Sequence, residues 1–520
     1  MKKSLINQLL LLCLISIIAP NYADAQNYDD RCFIAQFEAG TTQAEIDALL
    51  SPYNLLIEDG PTTAFNNQFA LICVDPVLGF PDIPVNSNGQ VDINGVIVIV
   101  DANDVQNDDI LDAIGLNFNL DPLAAPSGGS SHIFRHPLAS CRPGAFTIDT
   151  APGTNAVKLG VLDTGIKVHS GTGLENFFDP TNLGWNTIND TSDPADDNGH
   201  GCHVSSNIVL ATPQSLSAAL QLKAYKTIEM DGSSSIWRSI KGINEALLDG
   251  VRIINISSSY RASFDHRFEE VPLKLAIEEA GSIAGILFVA SAGNNGMDND
   301  NPNGQANYPA SFMMDNMLAV SAVDCNAATP IWSNRGTSSV DIAAPGVGIW
   351  GLDENGLYVQ RDGTSFATAL TSRLAAILAT QQSVFDYKEI KCAIINGANH
   401  SSTTPTLSQG YLDATKAQMI FNTGSACSVS SLPTGSEYSA TSTVEVDIKN
   451  GQWLNIDSDK EQVANLRVFN MLGQLLHAKE LQLQAGPNSF DLEIPKYHSP
   501  TTYVYQLQYG TRNKTLMFVR

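Results

Sequence analysis

Four short segments set reactive side chains beside residues small enough to let a substrate approach. In Lys158-Leu159-Gly160-Val161-Leu162-Asp163-Thr164-Gly165 an apolar run ends in an acid and a turn glycine. A carboxylate held there can orient a histidine and stabilise its positive charge; alone, it reads equally as an Asp closing a strand. In Asp197-Asn198-Gly199-His200-Gly201-Cys202-His203-Val204 two glycines flank an imidazole at a helix start. Histidine is the natural general base near neutral pH. The plainer readings are a polar cap, or a metal pair with His203 for which no third ligand is apparent. In Asp362-Gly363-Thr364-Ser365-Phe366-Ala367-Thr368 a hydroxyl falls in the first turn of a helix. Ser365 is a nucleophile there if a base reaches it, and a helix cap if none does. In Phe288-Val289-Ala290-Ser291-Ala292-Gly293-Asn294-Asn295-Gly296 a strand ends in small residues and then an amide. Asn294 can donate to a developing oxyanion or sit in an ordinary turn. No one of these signals decides by itself. Together they supply the acid, base, hydroxyl and donor that acyl transfer needs.

Such groups need rigid holders. Residues 149–425 alternate apolar runs of strand length (158–162, 252–257, 286–290, 317–323) with helical patterns (200–211, 235–249, 270–281, 364–381, 387–397). That alternation predicts an α/β unit with a parallel sheet and helices on both faces. Ahead of it, 32–37 and 69–74 read as strands around a helix at 43–50 capped by Thr41, a small α+β module. Residues 81–142 are rich in Asp, Asn, Pro and Gly, apart from an apolar run at 96–100, with a flexible connection at 126–131. Beyond the α/β unit, 466–469, 490–494, 503–507 and 514–519 are short strand-like runs separated by turn residues, which predicts an antiparallel β-sandwich. The expected organisation is a signal peptide (1–25), an N-terminal module and linker (26–145), the α/β domain (146–425), a linker (426–443) and the sandwich (444–520).

In chain order the four groups are Asp163, His200, Asn294 and Ser365. Asp before His before Ser is the order of the subtilisin arrangement, and of neither the chymotrypsin nor the α/β-hydrolase one. Residues 161–166, Gly199-His200-Gly201-x-His203-Val204, Gly363-Thr364-Ser365-Phe366-Ala367, Ala292-Gly293-Asn294 and Tyr308-Pro309-Ala310 resemble the subtilisin-like serine peptidase family (subtilases, peptidase S8). The resemblance covers about 149–400. It implies an endopeptidase in which Ser365 attacks the peptide carbonyl and His200 relays the proton. Asp163 orients His200, and Asn294 with the Ser365 amide holds the oxyanion. Ser257, Ser258 and Ser259 together with Ser291, Ala292 and Gly293 line the substrate groove. The chain departs from the family pattern at Cys202 (usually Thr), Ala369 (usually Pro), Ser259 (usually Gly) and Ser205-Ser206 (usually Ala-Gly). The Cys202 thiol beside His200 suggests mercury-sensitive activity.

The N-terminal module resembles the family's propeptide, which inhibits in cis until removed; removal near 130–150 is expected. Residues 466–474 and the 514–520 ending resemble the C-terminal secretion domain of the Bacteroidetes type IX pathway, so secretion machinery is an expected partner. The 520 residues allow about three domains. Lys2 and Lys3, an apolar stretch at 9–18 and Ala23-Asp24-Ala25 form an export signal too short to span a membrane. A secreted or cell-surface location follows, with no membrane span in the mature chain. A net charge of −25 disfavours nucleic-acid binding. Seven cysteines follow the signal, an odd number whose pairing the sequence leaves open. Residues 298–304 are oxygen-rich and suit either a structural Ca²⁺ or a solvated turn; the chemistry itself requires no cofactor. The expected partners are protein or peptide substrates. The alternative reading is a catalytically inactive surface binding protein that keeps the fold.

Overall fold

The computed structural model describes residues 28–37, 39–51, 55–65, 68–74, 111–120, 138, 141, 146–212, 214–263, 271–301 and 304–423, and from there 444–449, 453–458, 462–470, 475–491, 502–509 and 512–519. The expected signal, the run at 96–100, the connection at 126–131 and the 426–443 linker lie outside the described residues.

The N-terminal module is an antiparallel sheet of order β2-β3-β1-β4 with one helix. Its elements are β1 (Tyr28–Phe37), α1 (Gln43–Leu50), β2 (Leu55–Asp59), β3 (Gln68–Val74) and β4 (Leu111–Leu120). Helix α1 has the expected bounds but a different cap. Thr42, not Thr41, is the cap, and its hydroxyl and Glu45 satisfy each other's backbone amides. Strands β2 and β4 are additions to the two expected. In β4 the apolar residues Ile114, Leu116, Phe118 and Leu120 recur at period two inside an Asp/Asn-rich stretch that composition alone reads as loop. The far end of β4 pairs with Ser234 and Ser235, carrying the sheet onto the next unit.

That unit is the predicted α/β domain. Its central strands are β5 (Val157–Asp163), β6 (Gly184–Asn186), β7 (Leu220–Lys226), β8 (Ile253–Ile256), β9 (Leu287–Ser291), β10 (Met317–Val323), β11 (Ile342–Pro345), β12 (Asn399–His400) and β13 (Gly410–Tyr411). Their order is β12-β13-β11-β10-β9-β8-β5-β7-β6, parallel except for the β12 edge. Side chains alternate between two cores, as the pleat dictates. Leu159, Val161, Ile253, Leu287, Val289, Leu318 and Val320 face α2 (His200–Val209), α5 (Thr364–Ala379) and α6 (Tyr387–Asn396). Leu162, Ile254, Ile256, Phe288, Ala290 and Met317 face α3 (Ile236–Leu248) and α4 (Pro272–Ala284). Phe33, Ile34, Phe37, Phe69 and Ile72 of the N-terminal module join this second core from outside. The last helix, α7 (Ala414–Thr423), packs against α6.

Leu138, Cys141 and Ile148 belong to the first core. Cys141 is bonded to Cys325 across 184 residues, and Cys32 to Cys73 between the paired strands β1 and β3. Cys392 is also disulfide-bonded, and among the described residues Cys202 is the free thiol. From 444 on, the strands form two antiparallel sheets of three and four strands. They include 444–449, 453–458 and 475–483, which the sequence reading passed over.

Candidate active site

From β5 the chain builds β6 and β7 on one side, then returns to lay β8 to β11 on the other. Where the order reverses, the carboxyl ends of neighbouring strands open a crevice. Strand β5 ends at Asp163, β8 runs into Ser257, and β9 runs into Ala292-Gly293-Asn294. Helices α2 and α5 begin at His200 and Thr364, so the four predicted segments meet at the carboxyl end of the sheet.

Asp163 Oδ1 lies 2.7 Å from His200 Nδ1, with both residues buried. A bond at Nδ1 leaves Nε2 as the nitrogen that can exchange a proton. The pair is held from several directions. Thr164 donates its amide to Asp163 Oδ1 at 2.8 Å. Gly199 caps α2 with φ 87°, a left-handed conformation that favours glycine, and has no side chain to cap with. Asp196 does that work instead. Its carboxylate accepts from the amides of Asn198 (3.0 Å), Gly199 (2.8 Å) and Cys202 (2.8 Å). Burial alone would raise its pKa, but these amides hold it below the usual carboxylate range. A Cβ on Gly201 would stand 2.2 Å from the Gly165 carbonyl oxygen, so the absent side chain lets α2 touch the end of β5. The buried Lys226 ammonium donates to the Thr164 (2.8 Å) and Ile228 (3.0 Å) carbonyls and to Asp197 (2.6 Å), tying β7 to the loops carrying Asp163 and His200.

Ser365 lies in the first turn of α5, almost fully buried. Its hydroxyl donates to the Ser257 carbonyl at 3.1 Å; among the described residues it makes no hydrogen bond to His200. Ser257 Oγ in turn donates to the Ser365 carbonyl at 3.3 Å. Asn294 spends its carbonyl oxygen on the Thr364 amide (2.9 Å) and hydroxyl (2.8 Å). An amide N–H can only donate, so this contact fixes which end of the carboxamide is oxygen. The Nδ2 hydrogens then point away from α5, and Asn294 is exposed. Thr364, Asp196 and Lys226 are functional neighbours that sequence reasoning missed. Thr364 stands within the quoted serine segment, where it reads as a helix cap; Lys226 closes a strand, Leu220–Lys226, that the sequence reading passed over.

The groove residues divide. Ser257 and Ser258 are buried and Ser259 is partly exposed. The Ala292 amide donates to the Val320 carbonyl, and its own carbonyl accepts from Asn299 and Asn307. Ser291 and Ala292 are both buried and the Gly293 amide donates to Thr364 Oγ1, so this side shapes the floor. His203 is fully enclosed, its Nε2 on the Ile349 carbonyl at 3.1 Å and its ring 4.4 Å from that of Phe366. Burial first, then the Arg361 guanidinium and His200, push its pKa well below the usual value, so it stays neutral. Both histidines therefore have other commitments than a metal. The Cys202 thiol lies against Lys167, whose amide it accepts at 3.2 Å, and burial followed by the Asp196 charge raises its pKa strongly. Asp300, in the candidate calcium stretch, gives its two oxygens to the amides of Ser338 and Ser339, and Asp298 Oδ1 accepts from the Asp300 amide. These carboxylates brace the loop through backbone amides.

Comparison with known proteins bears on this geometry. The model of the subtilase family matches residues 154–412. The chain is 30% identical over 275 residues to thermitase of Thermoactinomyces vulgaris, covering 52% of this chain and 90% of that protein. It is 28% identical over 267 residues to a thermostable alkaline protease of Halalkalibacterium halodurans, covering 51% and 68%. Among solved structures, the epidermin leader peptide processing serine protease of Staphylococcus aureus aligns over 75% of this chain and 98% of its own, with TM-score 0.54 and 20% identity, a likeness of fold.

Proposed function

From the premise that the chain belongs to the subtilase family and is a serine-type endopeptidase, we propose that it cleaves proteins or peptides outside the cell through an acyl-enzyme on Ser365. The observation that carries the reading is the buried Asp163–His200 pair at the carboxyl end of the sheet, where Ser365 and the free amide of Asn294 also lie. The Ser365 hydroxyl turns from the Ser257 carbonyl toward His200 Nε2 and attacks the substrate carbonyl, while His200 takes the proton. Asp163 holds the imidazole and stabilises its charge. The oxyanion is held by Asn294 Nδ2 and by the Ser365 amide, which at a helix start has no intrahelical partner. His200 then returns the proton to the leaving amine, and water releases the acyl group by the same route.

The N-terminal module acts as the propeptide in cis. Its support is the shared core with α3 and α4, and polar contacts there: Asn244 Oδ1 accepts the amides of Thr63 (3.1 Å) and Ala64 (2.8 Å), and Trp237 Nε1 donates to Asp59 (2.9 Å). The leading 25 residues direct export, and the 444–520 module addresses the chain to secretion machinery. An inactive surface binding protein is the less favoured reading, because an acid–base pair and a free donor would serve no purpose in it.

The test is labelling of secreted, matured protein with a fluorophosphonate probe, with Ser365→Ala and denatured protein as controls. Labelling that disappears in both is expected. Folded, matured protein that does not label rejects the peptidase reading in favour of the binding protein.

A further inference from the structure

Arg373 lies on α5, eight residues beyond Ser365, and its side chain has no exposure to solvent. An enclosed guanidinium is costly unless its donors are matched. Here they are matched across three pieces of chain. Nε and Nη2 grip Asp149 in a bidentate pair at 2.5 and 2.6 Å. Nη1 donates to the carbonyls of Leu210, the C-cap of α2, at 2.6 Å, and of Asn207 at 3.4 Å. The last carbonyls of a helix lack intrahelical donors, and a cation is the favoured partner for them. One guanidinium therefore joins the far end of the His200 helix to the Ser365 helix.

Its counter-charge comes from a third element. Asp149 is in the strap that follows the N-terminal module, and about one quarter of its side chain is exposed. The strap is anchored along its length. Thr147 bonds Asp413 and receives the Ala414 amide, Thr150 bonds Gln418, and Gly153 and Asn155 bond Thr380 at the end of α5. At the opposite, reactive ends, α2 and α5 meet through ring contacts of Phe366 with His203 and His200. Ser365 and His200 share no hydrogen bond, so their relative placement depends on how the two helices are held.

We infer that Asp149 and Arg373 are positioning residues: through the strap they set the angle between α2 and α5, and so the approach of Ser365 to His200. The inference rests on Ser365 as nucleophile and His200 as base. Small misplacements of reacting groups cost rate far more than binding, so the signature is a loss in kcat at nearly constant KM.

The experiment compares full-length, secreted and matured wild type with Asp149→Asn, Asp149→Glu and Arg373→Lys. It measures fluorophosphonate labelling rate, kcat and KM on a chromogenic peptide, well below each protein's own Tm. Asp149→Asn, the same size without the charge, is expected to lower labelling rate and kcat about tenfold or more while KM stays within about twofold; Asp149→Glu restores most of the loss. Should Asp149→Asn not fold, Arg373→Lys carries the same expectation, because an ammonium keeps the charge but cannot span carboxylate and carbonyls at once. Wild type that labels, with a folded variant at wild-type kcat and only a lower Tm, overturns the positioning role and leaves the peptidase reading standing. Wild type that does not label overturns that reading, and this inference with it.

Discussion

Asn294 and Thr364 act as a unit at the scale of single residues. The threonine holds the carboxamide oxygen with both its amide and its hydroxyl, which aims the two Nδ2 hydrogens outward. Asn294→Ala removes the donor and is expected to lower kcat by on the order of 10²–10³ with little change in KM; that magnitude was measured in a subtilisin and is carried over from it. Thr364→Val keeps the amide contact and removes the hydroxyl, so its loss in kcat should be much smaller. Equal losses in the two variants would mean that the hydroxyl, and not the amide, aims the carboxamide. Asp196 makes a pH prediction. Its folded pKa lies below the ordinary value, so its stabilisation is fully present above the unfolded pKa of about 3.9 and is lost as pH falls through the folded value. Asp196→Asn should therefore lower Tm at neutral pH, and the gap from wild type should close as pH drops below about 4. A gap that is independent of pH would rule out the charged cap. Cys202, beside His200 in sequence, faces Lys167 in space and is kept protonated by burial. Iodoacetamide should leave it unmodified until the protein is unfolded; rapid alkylation of the native protein would contradict the enclosed thiol.

At the scale of elements, the site depends on how closely α2 approaches the end of β5. Gly201→Ala would place a methyl carbon against backbone, the Gly165 carbonyl, which no side-chain rotation relieves. Helix α2 must then move, and kcat should fall by about 10²-fold or more with the fold retained by circular dichroism. Wild-type kcat would mean that the helix start tolerates a shift the reactive geometry does not feel. Much of this arrangement was legible beforehand. The alternation of apolar strand runs and helical periods gave the parallel sheet and helices α2 to α6 within a few residues of their ends. The glycines around His200 already announced a close approach. The misses share a cause: they depend on pairing between residues far apart or on caps outside the usual place. A cap is sought at the residue before the helix, here Gly199, whereas Asp196 reaches in from three residues further back. Thr364 looks like a helix cap until its contact with Asn294, 70 residues earlier in the chain, is known. Strand β4 hid its period-two pattern under a loop-like composition.

The whole molecule poses the question of what the N-terminal module contributes to the helices beneath it. Apolar residues of the module and of α3 and α4 form one core, a feature the chain's organisation by composition could suggest only as two neighbouring units. Cys141 behaves differently. It lies within the 26–145 segment assigned to that module, yet it is bonded to Cys325, and Leu138 and Cys141 belong to the core of the α/β domain. Leu138, Cys141 and Ile148 are therefore structurally part of the α/β domain, and a cut that releases the module while leaving the domain intact belongs ahead of Leu138. Asn244 separates module binding from domain stability. Its carbonyl oxygen takes two amides from the module, at Thr63 and Ala64, and its own amide goes to Glu245 on the same helix. Asn244→Ala would leave those module amides unmatched at a part-buried contact, a cost of roughly 1–3 kcal/mol. The matured domain carrying Asn244→Ala should keep its Tm and kcat, while the separately produced module inhibits it with an affinity weaker by about tenfold or more. Trp237 supplies an independent readout, since its indole N–H donates to Asp59 of the module, and its fluorescence should shift as the module leaves. Unchanged inhibition by the module, with Trp237 still responding to its binding, would place the affinity in the apolar core alone.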